Sequence, residues 1–368
     1  MSLFAPAECS RLIVKVGSAL LVEADGRVRR EWLAGLAAQI AARARAGQQI
    51  AIVSSGAIAL GARRLGLAKG GRASLEDAQA AAAVGQIALS QVWAEVLGAE
   101  GLTAAQMLVT LDDLEDRRRY LNAAATLDRL LTLGVVPVVN ENDSVATAEI
   151  RFGDNDRLAA RVAQAAGAGG VVLLSDVDGL YDADPHASAE ARLIEQVEAL
   201  DETILSFAQT GSASGMGSGG MRSKLQAARI ATHAGIGLAI ANGRRDDALA
   251  PARCTMFLPQ RGASPRKAWL SGRLTVSGAI LVDSGAAKAL AKGSSLLAAG
   301  ATGVDGRFDR GDVVDIVHDG LPVARGLSEY DADDARRLVG TKSDAQPAIL
   351  GYAPRSALVH RDHLVLLG

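Results

Sequence analysis

The sequence predicts a three-layer αβα sandwich around a largely parallel β-sheet, followed by a small β-rich domain. Short Val- and Ile-rich strands alternate with helical stretches from residue 11 to residue 240, which is typical of an α/β layer architecture. From residue 272 onwards the pattern changes to short strands separated by turns. The chain has 368 residues, more than one hydrophobic core usually serves, so we expect two domains.

The first two predicted strands have candidate functional residues at their carboxyl ends. Lys15 interrupts the apolar strand Arg11–Val16, and a lysine there must either reach solvent or meet an anion. A helix at 30–47 and a second strand at 49–53 follow, and that strand leads into Ser54-Ser55-Gly56-Ala57 and a further helix. Such a turn can bind a phosphate or a carboxylate through backbone N–H groups, although small residues also simply permit tight packing.

The remaining elements of the first domain follow from apolar periodicity. We predict an Ala-rich helix at 74–97, a strand at 107–110, a helix at 112–133, strands at 135–139 and 171–174, a helix at 221–234 and a strand at 236–240.

Two clusters of carboxylates and amides surround the end of the strand at 135–139. The sequence NEND at 140–143 follows that strand directly, and GDND at 153–156 stands at the head of a helical pattern over 157–166. Asn and Asp also form turns and cap helices. Two such clusters after one buried strand nevertheless favour a ligand site, because ligands of open α/β sheets bind at the carboxyl ends of the strands.

The most glycine-dense run of the chain, 211–224, precedes a helix with Lys224 in its first turn. It contains a GxGxxG pattern, but no strand precedes it, so the context of a dinucleotide fold is missing. It is not a Walker A loop, because Ser223 stands where glycine is required before the lysine. A cation near a helix N-terminus is unfavourable unless an anion joins it, which favours an anion site over a disordered surface loop.

Composition excludes several functional classes. Aromatic residues make up 3% of the chain and the net charge is −2, so little favours nucleic-acid or anionic-membrane binding. Cys9 and Cys254 lie far apart without metal-like spacing, which indicates reduced thiols in a cytoplasmic protein. We expect no membrane span and no signal peptide. Nothing in the sequence resembles a Ser-His-Asp set, a zinc site or a glycosidase carboxylate pair.

The candidate residues that remain are of the types that phosphoryl transfer requires. Lys15 and Lys224 come from opposite ends of the first domain, and Asp154 and Asp156 could position these lysines or a magnesium ion. Proteins that catalyse phosphoryl transfer chiefly position the reactants and neutralise charge. An acceptor with a carboxylate and an ammonium group would also need a carboxylate such as Asp143.

The chain resembles the amino acid kinase family, and within it the members that phosphorylate glutamate and carry a C-terminal PUA domain. The combination of NEND with GGMxxK is highly specific, and the resemblance runs essentially from end to end. The matching pieces are VKVGS (14–18), SSGAIA (54–59), QMLVT (106–110), NENDSVATAEI (140–150), GDND (153–156), SDVDGLYDADP (175–185), GGMRSKLQAA (219–228), AILGY (348–352) and VHRD (359–362).

The resemblance implies the amino acid kinase fold and transfer of a phosphoryl group from ATP to the side-chain carboxylate of L-glutamate, the first step of proline biosynthesis. Lys15 and Lys224 would stabilise the transferring group, and Asp156 would hold these lysines in place. Ser55, Asp143 and Asn155 would bind glutamate, with Asp143 accepting from its ammonium group. The residues implied for ATP are Lys15, Ser175, Asp176, Ser218, Gly219, Gly220, Met221, Arg222, Ser223 and Lys224.

The resemblance further implies Mg²⁺ as a cofactor, feedback inhibition by proline, and a homodimer or homotetramer. Ser175 stands where the family often has Thr, and Arg222 stands where a small polar residue is common. We expect an amino acid kinase domain over 1–260 and a PUA-like domain over 273–358, divided by the Pro-containing segment 258–271.

Two alternatives remain open from the sequence. The first is another amino acid kinase, such as an acetylglutamate-type enzyme, whose relatives typically lack a PUA-like tail. The second is an RNA-binding or regulatory role through the PUA-like domain. Residues 273–368 contain 11 Lys and Arg against 12 Asp and Glu, whereas a phosphate-binding surface should be basic.

Overall fold

The chain divides into two compact units, Met1–Arg261 and Gly262–Gly368. The computed structural model describes residues 4–23, 27–145, 155–185, 188, 190–210, 220–260, 276–352, 355 and 357–367. Each unit is considered by itself below.

The first unit is built on a β-sheet that has eight strands in the described part of the chain. The strands are β1 (Arg11–Val16), β2 (Gln49–Ser54), β3 (Ala104–Val109), β4 (Val136–Glu141), β5 (Gly170–Ser175), β6 (Gln196–Val197), β7 (Gly237–Asn242) and β8 (Cys254–Phe257). Their order across the sheet is β3-β4-β2-β1-β5-β7-β8-β6. Neighbouring strands run parallel except for β7 and β8, so the prediction of a largely parallel sheet is confirmed.

Helices cover both faces of this sheet. They are α1 (Ser18–Leu21), α2 (Arg30–Arg45), α3 (Ala57–Leu65), α4 (Leu75–Ala99), α5 (Leu111–Glu115), α6 (Arg117–Thr132), α7 (Asn155–Ala166), α8 (Glu202–Thr210) and α9 (Met221–His233). One hydrophobic core joins the sheet to α6, α7 and α9, and a second joins the opposite face to α2, α3 and α4. The predicted three-layer arrangement follows from these two cores.

The strand order places a ligand-binding crevice beside β1. The chain moves outwards from β1 to β2 and β4, and then returns through α7 to pair β5 with the other side of β1. Such a reversal of direction is the topological switch point at which open α/β sheets bind ligands, at the carboxyl ends of the strands. Lys15 lies one residue before the end of β1, at this position.

Helix α4 is long and apolar enough to pass a composition test for a membrane span. Its apolar character has an explanation inside the fold, because Ala81, Leu89, Trp93 and Leu97 of this helix are buried in the first unit. Trp93 donates its indole N–H to the Ser54 hydroxyl at 2.9 Å, so this helix is also tied by a hydrogen bond to the end of β2.

The structure corrects the prediction of one helix over 112–133. The chain instead forms α5 and α6, with Asp116 in an extended conformation between them. The Asp116 carboxylate accepts from the Arg119 backbone N–H at 2.9 Å, so this residue starts a new helix rather than continuing the old one. The apolar periodicity carries on across the break, which is why it did not reveal the cap.

The second unit contains a five-stranded sheet in its described residues, in the order β10-β9-β11-β12-β13. The strands are β9 (Gly278–Val282), β10 (Ala301–Gly306), β11 (Val313–His318), β12 (Leu321–Ser328) and β13 (Val359–Leu366). The helices are α10 (Ser284–Ala291), α11 (Ala332–Leu338) and α12 (Gln346–Leu350). The prediction of a small β-rich domain is confirmed.

The short strands predicted from residue 272 onwards included the apolar runs RLTV at 273–276 and AILG at 348–351, which have different outcomes. The apolar run at 348–351 is not a strand, because it lies in and just after α12. Pro347 is the second residue of this helix, where the fixed φ of proline suits the first turn, and Gly351 ends the helix in a left-handed conformation with φ of 78°. The predicted strand at 273–276 lies mostly outside the described residues.

Candidate active site

Lys15, Asp156 and Lys224 meet at the centre of the candidate site. The Lys15 ammonium lies 2.6 Å from Asp156 Oδ1, and the Lys224 ammonium lies 3.0 Å from Asp156 Oδ2. All three side chains are buried, with exposed fractions of 8%, 1% and 7% in chain order. Two buried ammonium groups that meet at one carboxylate form a positively charged group of side chains, which suits the binding of a phosphate.

The Asp156 carboxyl remains ionised because of the two lysines. Burial raises the pKa of Asp156, but the charges and hydrogen bonds of Lys15 and Lys224 outweigh that effect and hold the pKa below its ordinary value. The carboxylate therefore acts as a fixed bridge between the two ammonium groups at neutral pH.

Alternation along β1 explains why Lys15 reaches Asp156. Ile13 packs in the core that contains α7, whereas Val14 and Val16 pack in the opposite core. Because successive side chains of a strand point to opposite faces, Lys15 shares the α7 face with Ile13. Asp156 is the second residue of α7, at the end of that helix nearest the carboxyl ends of the strands.

Lys224 arrives from the first turn of α9, which packs on the same face of the sheet as α7. This helix begins after Gly220, whose backbone is extended, and no side chain caps its start among the described residues. The excess positive potential of a helix start adds to that of the two ammonium groups. The position therefore favours an anion.

The side chain of Asn155 contacts Ser55, which is also predicted to bind glutamate. The Asn155 side-chain NH₂ group faces Ser55 Oγ at 2.8 Å, Ser54 O at 3.1 Å and Asn140 Oδ1 at 3.1 Å. The turn that presents Ser55 depends on Gly56, whose φ of 109° is a conformation that favours glycine. The Ser55 backbone N–H is already used, because it donates to Val16 O at 3.1 Å. The side chain, rather than the backbone, is thus the group that Ser55 offers to a ligand.

Asp143 lies two residues beyond the end of β4, at the same edge of the sheet as Ser55. Burial raises the pKa of Asp143 to about 6, and the positive charge of Arg72 opposes this shift. A carboxylate with a raised pKa is stabilised when a ligand brings a cation to it, so this group suits the recognition of an ammonium group.

The residues predicted to bind ATP are placed unevenly. Ser175 ends β5 and is buried, with its hydroxyl 3.2 Å from Asp176 Oδ1, while Asp176 itself is exposed. Gly220 and Arg222 are exposed, and Met221 and Ser223 are half-buried, at the start of α9. Ser218 and Gly219, together with Asp154, lie outside the described residues.

The described residues do not form a cage for a metal ion. Among them, no group of three or more His, Cys, Asp or Glu side chains is arranged to hold one. The buried carboxylate of Asp156 is occupied by two lysines. The described residues thus suit a divalent metal ion that arrives bound to nucleotide phosphates rather than one held by protein groups alone.

Asn140 was predicted only as a member of the NEND cluster, without a role of its own, and Gln86 was missed as a functional candidate. Asn140 accepts from Asn155, and its own NH₂ group donates to Gln86 Oε1 at 2.8 Å. Gln86 lies on α4 among the buried positions 78, 81, 82, 85 and 89. A glutamine at a core-facing position of an Ala-rich helix was the available signal, because a buried amide must find partners.

Comparison with known proteins agrees with this geometry. A family model described as the amino acid kinase family matches residues 10–242, and a PUA domain model matches residues 278–350. The chain belongs to the amino acid kinase family.

Its relatives within this family narrow the class further, and the predicted resemblance is confirmed. A glutamate 5-kinase of Sphingopyxis alaskensis is 73% identical to this chain, with 100% of both chains covered. A glutamate 5-kinase of Novosphingobium aromaticivorans is 62% identical, covering 98% of this chain and 96% of the relative. A third, of Zymomonas mobilis, is 58% identical, covering 100% of this chain and 94% of the relative.

Proposed function

We propose that this chain transfers the γ-phosphoryl group of ATP to the side-chain carboxylate of L-glutamate, giving L-glutamyl 5-phosphate and ADP. The observation that carries the proposal is the buried Lys15–Asp156–Lys224 cluster at the switch point of the sheet. It occurs in a chain that is 73% identical over its full length to a glutamate 5-kinase. The reaction is the first step of proline biosynthesis.

The proposed chemistry is a direct in-line attack by the glutamate carboxylate on the γ-phosphorus. No general base is required, because a carboxylate is already ionised at neutral pH. Lys15 and Lys224 stabilise the charge on the transferring phosphoryl group, and Asp156 holds one ammonium group at each of its two carboxylate oxygens. The catalytic task of the protein is therefore positioning and charge stabilisation.

The proposed substrate contacts divide between two sets of residues. Ser55, Asp143 and Asn155 bind glutamate, and the Asp143 carboxylate accepts from its ammonium group. Ser175, Asp176 and the segment 218–224 bind the nucleotide. Mg²⁺ enters as part of the ATP substrate, coordinated by the phosphates, where it neutralises charge.

The proposed setting of the enzyme rests on the family resemblance of the sequence. We place it in the cytoplasm as a homodimer or homotetramer, with proline as a feedback inhibitor. The limits 1–260 and 273–358 for the two domains stay our proposal. The described second unit carries acidic and basic side chains in ion pairs, such as Arg325 with Asp315 at 2.7 Å, which does not favour a nucleic-acid surface.

Hydroxylamine trapping tests the function, because an acyl phosphate reacts with hydroxylamine to give a coloured hydroxamate with iron. ATP would be supplied with L-glutamate, N-acetyl-L-glutamate or L-aspartate, together with a control that lacks any acceptor. We expect hydroxamate with L-glutamate alone, and a reduced rate when proline is added. Product with N-acetyl-L-glutamate instead would contradict the substrate and favour an acetylglutamate-type enzyme.

A further inference from the structure

A chain of buried amide groups connects Asn155 to helix α4. The Asn155 NH₂ group donates to Asn140 Oδ1 at 3.1 Å, the Asn140 NH₂ group donates to Gln86 Oε1 at 2.8 Å, and the Gln86 NH₂ group donates to Ser90 Oγ at 3.2 Å. The three amides are 4%, 1% and 8% exposed in that order. In each of these three amides the NH₂ group points towards α4 and the oxygen points towards the candidate site, so all three have the same orientation.

The contact with the Ser54 backbone carbonyl identifies the orientation of the Asn155 amide. The carbonyl oxygen lies 3.1 Å from Asn155 Nδ2, and a carbonyl can only accept a hydrogen bond. Turning the Asn155 amide over would place its oxygen against Ser54 O and against Asn140 Oδ1, so two pairs of acceptors would face each other. The present orientation is therefore the one that the surrounding groups support.

This orientation leaves Asn155 Oδ1 as an acceptor that awaits a donor. The atom is buried and has no hydrogen-bond partner within the part of the chain that the structure describes. A buried amide oxygen without a donor is unfavourable, so a native site usually supplies one. Because the same side chain contacts Ser55 at the strand edge, a bound ligand is the natural source.

The kind of donor can be inferred from chemistry. A carboxylate offers no N–H or O–H when ionised, whereas an ammonium group offers three N–H donors. One of these can bind the carboxylate of Asp143 and another can bind Asn155 Oδ1. An N-acylated amino acid retains a single amide N–H and cannot supply both.

We propose that Gln86 is a positioning residue for substrate selection. Through Asn140, it holds the amide of Asn155 with its oxygen presented to the ammonium group of the substrate. The inference rests on the proposed function, since L-glutamate supplies that ammonium group. It adds a residue on α4, remote from the phosphoryl group, to the determinants of specificity.

The test compares two substitutions at one position. Gln86→Met keeps the length of the side chain but removes the acceptor for Asn140, and we expect the KM for glutamate to rise about tenfold with kcat and the KM for ATP within about twofold. Gln86→Glu keeps an oxygen acceptor, and we expect a KM for glutamate within about threefold of the parent. Gln91→Met is the matched control, because Gln91 is exposed on the same helix and bonds Glu95 instead.

Inhibition by glutarate distinguishes a positioning role of Gln86 from a general loosening of the glutamate site. Glutarate has both carboxylates of glutamate but no ammonium group, so its inhibition constant against glutamate should be equal in the parent enzyme and in Gln86→Met. An equal weakening of glutarate and glutamate would overturn the proposal, as would an unchanged KM for glutamate in Gln86→Met.

A second variant covers the case in which Gln86→Met does not fold. Ser90→Ala removes the acceptor of the Gln86 NH₂ group without altering any of the three amides, and we expect a rise of about twofold to fivefold in the KM for glutamate alone. An unchanged KM would contradict the chain of amides. If the parent enzyme forms no hydroxamate with glutamate, the proposed function fails and this inference fails with it. If the parent is active and the Gln86 and Ser90 variants match it, this inference alone fails.

Discussion

At the scale of single residues, the carboxylate of Asp156 is what permits two lysines to be buried side by side. Its two oxygens lie 2.6 and 3.0 Å from the two ammonium groups, and each lysine comes from a different element. The cluster places two ammonium groups in a site with little access to water. These groups can stabilise the negative charge of a transferring phosphoryl group, which is how a static arrangement becomes a catalytic one.

Substitution of either lysine tests this role. We expect Lys15→Ala and Lys224→Ala each to lower kcat by about 10²–10³-fold, the range typical of losing one group that stabilises transition-state charge. The KM for glutamate should change much less, because glutamate contacts other residues. Steady-state kinetics with Lys288→Ala as an exposed control would measure this, and normal turnover in either variant would exclude the assigned role.

Substitution of Asp156 tests the electrostatics. Asp156→Asn leaves two buried ammonium groups facing an amide, and we expect a loss of about 3–5 kcal/mol in the free energy of unfolding. Asp128→Asn breaks an exposed ion pair with Arg11 and should cost no more than about 1 kcal/mol. Denaturant unfolding of both variants gives the comparison.

The pH dependence of that difference has a definite sign. The pKa of Asp156 is lowered in the folded protein, so its contribution is complete above the unfolded pKa of about 3.9 and is lost as the pH falls through the lower folded value. The gap between the parent and Asp156→Asn should therefore be constant from about pH 5 to 7 and close only in stronger acid. A gap that closes near neutral pH would contradict this account.

Asp143 predicts a separate pH effect on catalysis. Its pKa is raised to about 6 by burial, so the fraction able to attract an ammonium group falls as the pH drops through that value. We expect kcat/KM for glutamate to decrease below about pH 6 in the parent and to be low and flat in Asp143→Asn. Arg72→Ala removes an opposing charge and should move the midpoint to higher pH. If neither substitution changes the pH profile of kcat/KM, Asp143 is not the group whose titration controls it.

Residue types and their order in the chain predicted part of this site. Lys15, Lys224 and Asp156 could be singled out because charged groups at strand ends and helix starts need partners. Their pairing could not be derived locally, because 68 residues separate Lys224 from Asp156 along the chain. Gln86 was missed because its amide has meaning only once Asn140 is known to face α4.

At the scale of elements, helices α3 and α4 are in direct backbone contact through two glycines. A Cβ atom added at Gly61 would lie 1.7 Å from Ala81 O, and one added at Gly85 would lie 1.8 Å from Ala57 O. This close approach holds Gln86 of α4 near the turn after β2. The packing of these two helices against each other thus influences the candidate substrate residues.

A pair of glycine substitutions on one helix tests this contact. Gly85→Ala should destabilise the protein by about 3 kcal/mol, the upper end of ordinary overpacking, because backbone atoms must move apart. Gly98→Ala meets no atom within 4 Å and should stabilise by about 0.5–1 kcal/mol through helix propensity. Thermal unfolding of both variants measures the difference, and equal effects would contradict the contact.

The element boundaries show what local pattern could predict. The observed strand Arg11–Val16 and the observed helix Met221–His233 agree with their predicted bounds to within one residue. Apolar runs bordered by glycines mark both elements clearly in the sequence. The prediction was wrong at the break at Asp116 and at the helix Gln346–Leu350. A helix cap determines the first of these features, and proline in the first turn with glycine at the end determines the second, so the apolar pattern was misleading in both places.

At the scale of the whole molecule, strand order rather than strand content creates the site. β1 lies between β2 and β5, so residues from the start, the middle and the later part of the first unit converge on one edge. The alternation of strands and helices predicted a parallel sheet, but it did not predict this order. The family resemblance supplied what the local pattern could not.

The most direct test of the central claim follows the oxygen atoms. L-glutamate labelled with ¹⁸O in its side-chain carboxylate would be incubated with ATP, the full-length enzyme and hydroxylamine, and the released phosphate would be analysed by mass spectrometry. Direct attack by the carboxylate on phosphorus predicts phosphate that carries one glutamate oxygen, because hydroxylamine cleaves the acyl phosphate at carbon. Phosphate without label would mean that water or another group received the phosphoryl group, and it would contradict the account.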